Sequence, residues 1–336
     1  MTKLNRKTMK KRGFRTLDLF AGVGGIRLGF ERAGFEAVFA NDHNEKCKLT
    51  YDLNFKEPKL TVKDVWKIYV KKEIPDFDVL AAGFPCQAFS IAGNQIGFRD
   101  SKTGGNLFFK IAQVLRIKKP QAFMLENVKN LKNHHKGNTF KVIGSTLKKM
   151  GYHVKSEVLN SMTHGNLPQN RERIFIVGFL DKKKADAFEF PKEIELTKSF
   201  KDYVNGEADD RYYYNDKPLY PKLKDDVNSE DTVYQWRRRY VRANKKGVVP
   251  TLTANMGTGG HNVPIIKNGK GIRKLTPKEC FMLQGFPKDF KLPELPDSTL
   301  YHQAGNSVPV PVVERVAENI RKVLEGERIN PQMVLL

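Results

Sequence analysis

The sequence predicts an α/β protein, with a doubly wound, largely parallel sheet covered by helices on both faces and a second, smaller, loop-rich domain. Three observations lead there. Between residues 14 and 180, short apolar runs alternate with segments of helical period, as expected of strand–helix units in an open sheet. Residues 200–270 are instead rich in Lys, Asp, Tyr, Gly and Asn and carry no sustained helical period. Order then returns, and Val312, Val313, Val316, Ile320, Val323 and Leu324 fall on one face of a last helix. The 336 residues suit about two domains of roughly 150 residues each. If the last helix packs back on the first lobe, residues 1–188 and 300–336 form a discontinuous large domain, and 189–299 the smaller one with its hinge.

Taken in order, Arg15–Phe20 reads as a strand, Ile26–Arg32 as a helix, Ala37–Asn41 as a strand and Asn44–Asn54 as a helix. Phe77–Ala82 is a third buried strand. Leu107, Phe108, Ile111, Val114 and Leu115 share a helical face, Ala122–Leu125 is a strand, and Phe140, Ile143, Leu147 and Met150 mark another helix. An apolar strand follows at Ile174–Phe179, and ordered structure resumes at Thr276–Leu283.

Composition narrows the function. With 59 Lys+Arg against 37 Asp+Glu the net charge is +22, which points to a polyanionic partner, either nucleic acid or an acidic membrane face. No apolar run approaches the ~18 residues of a membrane span. Residues 1–15 hold seven Lys/Arg without a following apolar stretch, so a secretory signal is not expected. The three cysteines, Cys47, Cys86 and Cys280, form no CxxC pair and no His/Cys cluster, which speaks against a zinc site. Their odd number fits a reducing compartment. A soluble cytoplasmic protein without a metal is the expectation.

Five segments could carry chemistry. In Asp18-Leu19-Phe20-Ala21-Gly22-Val23-Gly24-Gly25, glycines between a strand and a helix let the backbone approach a ligand and leave amides free at the helix start. Arg27 stands where a dinucleotide fingerprint wants a third Gly, so a smaller adenosine-type cofactor fits better; a plain tight turn is the alternative. Asp42, ending the second strand, could take both hydroxyls of a ribose. Pro85-Cys86 closes the third strand at its carboxyl end, where parallel sheets place active sites, and a loop containing Gly93, Gly97, Gly104 and Gly105 follows. Cys86 is either a buried structural thiol or a nucleophile activated by a neighbouring cation. Glu126-Asn127-Val128 follows the fourth strand; Glu126 could be a general acid raised by burial, or a helix cap. Alternation puts Arg171 and Arg173 on one side of an extended segment, where they either enter a site or are solvated.

The order of these segments resembles that of the DNA (cytosine-5)-methyltransferase family, of the bacterial restriction–modification type. The resemblance rests on Phe20-Ala21-Gly22-Val23-Gly24-Gly25, Gly83-Phe84-Pro85-Cys86-Gln87, Glu126-Asn127-Val128, Gln169-Asn170-Arg171-Glu172-Arg173 and Gln303-Ala304-Gly305-Asn306-Ser307-Val308. Arg273-Lys274-Leu275-Thr276-Pro277-Lys278-Glu279-Cys280 is similar to a further family motif. The resemblance spans about residues 14–325. It implies S-adenosyl-L-methionine as cofactor and S-adenosyl-L-homocysteine as product. Phe20 would stack on adenine, Asp42 bind the ribose, and Asp64 with Val65 hold the adenine edge. Ala21, Gly22, Val23, Gly25, Pro85, Leu107, Asn306 and Ser307 would complete the pocket. His43 departs from the pattern, since many relatives carry a Trp there. Cys47 and Cys280 are read as core residues.

The resemblance also implies a reaction. Cys86 would add to cytosine C6 while Glu126 donates to N3, making C5 nucleophilic enough to take a methyl group; Arg173 would contact O2 and orient Glu126, and Arg171 would shape the site. The base must be flipped out of duplex DNA to be reached. Candidate DNA contacts are Gln87, Ser90, Arg237, Arg239, Thr251, Asn255 and Gly257, and the smaller domain would read the sequence. A monomer paired in function with a cognate restriction endonuclease is expected. Two rivals are an RNA (tRNA) cytosine-C5 methyltransferase, which shares the cysteine and Glu-Asn-Val motifs, and a catalytically silent DNA-binding regulator. The basic recognition lobe with Thr251-Leu252 favours DNA over RNA, and intact Cys86, Glu126, Arg171 and Arg173 argue for an enzyme. The absence of an Asn/Asp-Pro-Pro-Tyr element disfavours amino-methylation.

Overall fold

A computed structural model describes residues 13–85, 107–204, 206–244, 247–258 and 262–327. Cys86, Gln87, Ser90 and the glycine-bearing loop after them lie outside the described residues, as do positions 1–12 of the basic N-terminal segment.

The first half alternates β1 (Arg15–Leu19), α1 (Gly25–Arg32), β2 (Glu36–Asp42), α2 (Glu45–Asn54), β3 (Thr61–Val62), α3 (Val70–Glu73), β4 (Val79–Gly83) and α4 (Leu107–Lys118). Then come β5 (Ala122–Val128), α5 (Asn138–Lys149), β6 (His153–Asn160), α6 (Ser161–Gly165), β7 (Gln169–Asn170), β8 (Glu172–Phe179) and α7 (Lys182–Ala187). Among the described residues seven strands form one sheet in the order β3-β2-β1-β4-β5-β8-β6. The pairs from β3 through β5 are parallel, whereas β8 runs antiparallel to both β5 and β6. The sheet is therefore mixed at one end, a departure from the uniform direction that apolar runs suggest.

Side chains alternate across this sheet and define three layers. Leu17, Leu19, Leu80, Ala82, Phe123, Leu125, Ile174 and Ile176 face Phe108, Ile111 and Leu115 of α4 and Ile143 and Leu147 of α5. Their immediate neighbours, Val79, Ala81, Ala122, Met124, Phe175 and Val177, face Ile26 and Phe30 of α1 on the other side. The last helix, α10 (Val310–Leu324), joins that second layer through Val312, Val313, Val316 and Ile320. It lies so close to α1 that a Cβ on Gly29 would come within 2.7 Å of Val313.

The remaining segments are β9 (Val233–Trp236), β10 (Val241–Asn244), β11 (Val249–Pro250), β12 (Ile265–Asn268), β13 (Gly271–Lys274), α8 (Pro277–Leu283) and α9 (Asp297–Asn306). Four of the strands form an antiparallel sheet, β10-β9-β12-β13, with a small core of Tyr214, Leu223, Val227, Tyr234, Ile265 and Ile272. A larger group binds this region to the first half: Ala21, Val23, Tyr51 and Phe55 pack with Val233, Leu252, Met256, Phe281 and Tyr301. The short strand β7 pairs in parallel with β11, a second tie between the two regions.

Candidate active site

The parallel strands deliver their carboxyl ends to one edge of the sheet. After β1 the chain turns through Phe20 (φ 58°), Gly22 (φ 53°) and Gly24 (φ 88°) into α1. Left-handed backbone costs a Phe more than a glycine, and such strain gathers at functional sites. Asp42, ending β2, holds this turn: one carboxylate oxygen accepts the Gly22 N–H at 2.9 Å and the other the Asn44 N–H at 2.9 Å. Both oxygens keep lone pairs for a ligand. The side chain of His43 is exposed and lies 3.4 Å from Asp42.

Glu126 stands on β5 opposite Gly83 of β4. A Cβ on Gly83 would lie 3.4 Å from the Glu126 Oε2, so glycine leaves the carboxyl uncrowded. Because β8 is antiparallel, its starting end reaches the same edge, and Arg173 pairs with Val128. The Arg173 Nε sits 3.1 Å from a Glu126 oxygen. Burial pushes the Glu126 carboxyl above the usual carboxylate range, against the pull of Arg173 and Arg171. Asn127 braces the neighbouring loop by donating to the Phe84 carbonyl at 2.8 Å.

Arg171 is buried and acts as a clamp. Its guanidinium donates to the carbonyls of Leu252, Gly305 and Ser307, so one side chain ties the β7–β8 junction, the Thr251–Leu252 segment and the end of α9 together. Burial and the nearby Arg173 lower its pKa well below the ordinary value. Gln169 reinforces the junction, donating to the Leu283 carbonyl and accepting the Leu252 N–H.

These groups surround a cavity of about 430 Å³. Its wall contains Phe20, Ala21, Gly22, Val23, Gly25, Asp42, His43, Pro85, Leu107, Glu126, Arg171, Arg173, Asn306 and Ser307 from the sequence reading. Asp64 and Val65 are not in the wall. The Asp64 carboxylate caps a short turn by accepting the Trp66 N–H at 3.0 Å, and Val65 packs in the core under the sheet. The wall also contains residues to which the sequence reading assigns no pocket role: Cys47, read there as a core residue, Asn127 and Gln303, which stand in the quoted motifs, and His302. Cys47 and Cys280 are buried in one core group; burial, reinforced by Asp42, pushes the Cys47 thiol up to about 12. Gln303 reaches back to α2, accepting from Thr50 and donating to the Lys46 carbonyl. Gln303 opens a motif visible in the sequence, but its contact with α2, and the place of Cys47 beside it, arise only where the two helices meet in the fold.

An adenosine-type ligand suits this wall. The Ser307 hydroxyl is buried and has no hydrogen-bond partner, and it would meet a Cβ placed on Gly25 at 2.7 Å. An unsatisfied hydroxyl beside a helix start and a carboxylate is a polar lining that a ligand can complete. Among the described residues no group of three His, Cys, Asp or Glu could hold a metal, and no helix is long and apolar enough to cross a membrane.

A second groove, of about 790 Å³, opens between the β9–β10 hairpin and the Thr251–Asn255 segment. Arg237, Thr251 and Asn255 line it. The Thr251 hydroxyl donates to the Asn170 carbonyl. Gly257 instead packs on α9, where a Cβ would lie 2.4 Å from the Ser298 carbonyl oxygen. Arg239 is exposed near the hairpin tip.

The fold and the cavity are those of a methyltransferase. Residues 14–322 match the family model for C-5 cytosine-specific DNA methylase, and the chain belongs to that family. It is a DNA cytosine-5 methyltransferase, and family and fold imply S-adenosyl-L-methionine as methyl donor. The chain is 55% identical over 310 residues to the type II methyltransferase M.Bsp6I of Bacillus sp. (strain RFL6), covering 91% of this chain and 98% of that protein. To M.HaeII of Haemophilus aegyptius it is 42% identical over 309 residues, covering 90% and 92%. Among solved structures, a mutant of Spodoptera frugiperda DNMT2 superposes with a TM-score of 0.71 at 19% identity, over 92% of this chain and 99% of that one. A putative DNA modification methyltransferase encoded within an E. coli prophage gives 0.67 at 21%, over 93% and 100%. At such identities these two superpositions speak for the fold alone.

Proposed function

We propose that the protein flips a cytosine out of duplex DNA within a short specific sequence and methylates C5 through a transient bond from Cys86 to C6. The observation that carries this reading is the buried Glu126 carboxyl, held by Arg173 beside the cavity wall formed by Asp42 and the β1–α1 turn. Bound S-adenosyl-L-methionine supplies an electrophilic methyl group. Phe20, Asp42, Asn306 and Ser307 are the residues to hold it, with Asp42 on the ribose hydroxyls and Ser307 satisfied by the ligand.

Cytosine C5 is too weak a nucleophile to react unaided, so a covalent route splits one hard step into easier ones. The Cys86 thiolate adds to C6 as N3 takes a proton from Glu126, and the ring's electron density moves to C5. After C5 gains its methyl group, loss of the C5 proton to a base or water expels Cys86. A carboxyl raised by burial keeps the proton that N3 needs near neutral pH. Arg173 fixes the carboxyl and faces the cytosine oxygen; Arg171 holds the surrounding strands.

Residues 189–299 are assigned to target recognition, and 1–188 with 300–336 to catalysis. The net charge of +22 supports binding to the DNA backbone. Two relatives bear the name type II methyltransferase, which supports a role in protecting host DNA from a partner endonuclease; the enzyme is read as a cytoplasmic monomer. Purified protein is expected to transfer tritiated methyl groups to duplex DNA. Cys86→Ser should abolish transfer yet still bind the cofactor; normal turnover by that variant would remove Cys86 from the mechanism.

A further inference from the structure

The groove beside the hairpin contains two residues that the reading above leaves without a role, Gln235 and Arg242. They stand directly opposite each other across the β9–β10 pair, so their Cα atoms are about 4.5–5.5 Å apart and their side chains share one face. The hairpin is held from both sides. Tyr234 and Trp236 point the other way into the small sheet's core, while Val233, on the same face as Gln235, is buried in the core that contains Leu252. Gln235 therefore emerges into the groove two residues along from a buried anchor, in a fixed direction. The side chains of Gln235, Arg237 and Arg242 form no hydrogen bond or ion pair with another described residue. Both arginines and Gln235 line the groove.

The chemistry of the wall separates two kinds of DNA contact. Phosphate oxygens only accept hydrogen bonds, and a cluster of cations serves them; Arg237, Arg238 and Arg239 at the hairpin tip are such a cluster. Base edges present donors and acceptors in mixed order. Around Arg242 the groove carries carboxamides, Gln235 opposite and Asn255 and Asn262 across, each able to donate and accept. A two-stranded ribbon also fits the width of a major groove.

We propose that Gln235 and Arg242 are a base-reading pair of this enzyme. Arg242 takes the O6 and N7 of a guanine in the recognition sequence, Gln235 takes the edge of the adjacent base, and Arg237 at the tip holds a backbone phosphate. The proposal rests on the reading of the chain as a duplex-DNA methyltransferase. Its test is methylation of a plasmid library randomised around the target site by purified wild type, Arg242→Ala, Gln235→Ala and Arg237→Ala, each checked for folding by circular dichroism and read by bisulfite sequencing. Arg242→Ala is expected to lose preference for guanine at one position by roughly ten- to a hundred-fold, and Gln235→Ala to relax the position beside it. Arg237→Ala should slow all sequences alike and flatten the salt dependence. A uniform loss with the preference intact in Arg242→Ala would overturn the base-reading role and make the residue a phosphate contact. If the wild type protects no cytosine from conversion, the DNA-methyltransferase reading itself falls and takes this inference with it.

Discussion

Asp18 lies near the carboxyl end of β1, facing α1, just before the turn that builds the cofactor cavity. It is 1% exposed, and its carboxyl oxygens lack a well-aligned side-chain partner, the Arg27 backbone N–H being the hydrogen-bond donor that favours the charged form. Burial raises its pKa from 3.8 to about 8, with Arg27 opposing and Asp42 adding to the rise. At 1.36 kcal/mol per unit, ionising the folded carboxyl costs about 6 kcal/mol more than ionising it in the unfolded chain. The unfolded chain releases the proton near pH 4, whereas the folded chain keeps it until about pH 8. Between those limits the folded state holds one extra proton, so the group's contribution is complete below pH 4 and is lost as pH rises, by about 1.4 kcal/mol per unit. Asp18→Asn keeps the shape and cannot ionise. Urea unfolding of both proteins at pH 5 and pH 7 should show the wild type losing about 3 kcal/mol more than the variant over that interval. An identical pH dependence in the two would refute a neutral, buried Asp18.

Two further predictions concern the site. Glu126→Gln should lower kcat by about 10²- to 10⁴-fold, with cofactor affinity measured by calorimetry little changed. In the wild type, kcat/KM should fall as rising pH removes the Glu126 proton, since the protonated form is the donor; undiminished methyl transfer by the variant would exclude that role. A Cβ on Gly305 would lie 2.1 Å from the Thr253 carbonyl carbon, so Gly305→Ala should push the Thr251–Ala254 segment away and loosen the Arg171 clamp. A loss of roughly 1–3 kcal/mol is expected by thermal or urea unfolding. Gly144→Ala, where nothing lies within 4 Å of the added Cβ, should be neutral or slightly stabilising.

How far the sequence discloses this molecule depends on the kind of information involved. Strands such as Val79–Gly83 and Ala122–Val128 are buried on both faces and read as apolar runs, so their positions are plain. Their direction is not, because an apolar run looks the same either way. That is why the strand at Ile174–Phe179 is legible but its antiparallel direction is not, although that direction is what brings Arg173, and Arg171 just before the strand, to the edge where Glu126 stands. The edge strand β6, His153–Asn160, is half exposed, and its few apolar residues, Val154, Val158 and Leu159, are too scattered among polar ones to mark a strand. The β1–α1 turn and Asp42, which ends β2, are legible as site candidates from the strand ends; Glu126, expected just after its strand, lies inside β5, which runs on to Val128. Cys47, His302 and Gln303 reach the same cavity only through the meeting of α2 and α9, separated by some 250 residues. Asp64 shows the converse, a candidate whose carboxylate is turned to capping its own loop.

The most direct test of the central claim is bisulfite sequencing of plasmid DNA from cells that express the protein, beside cells that express Cys86→Ser. The account predicts cytosines resistant to conversion at one recurring short sequence, present with the wild type and absent with the variant. A plasmid whose cytosines all convert in both, with folded protein present, would contradict it.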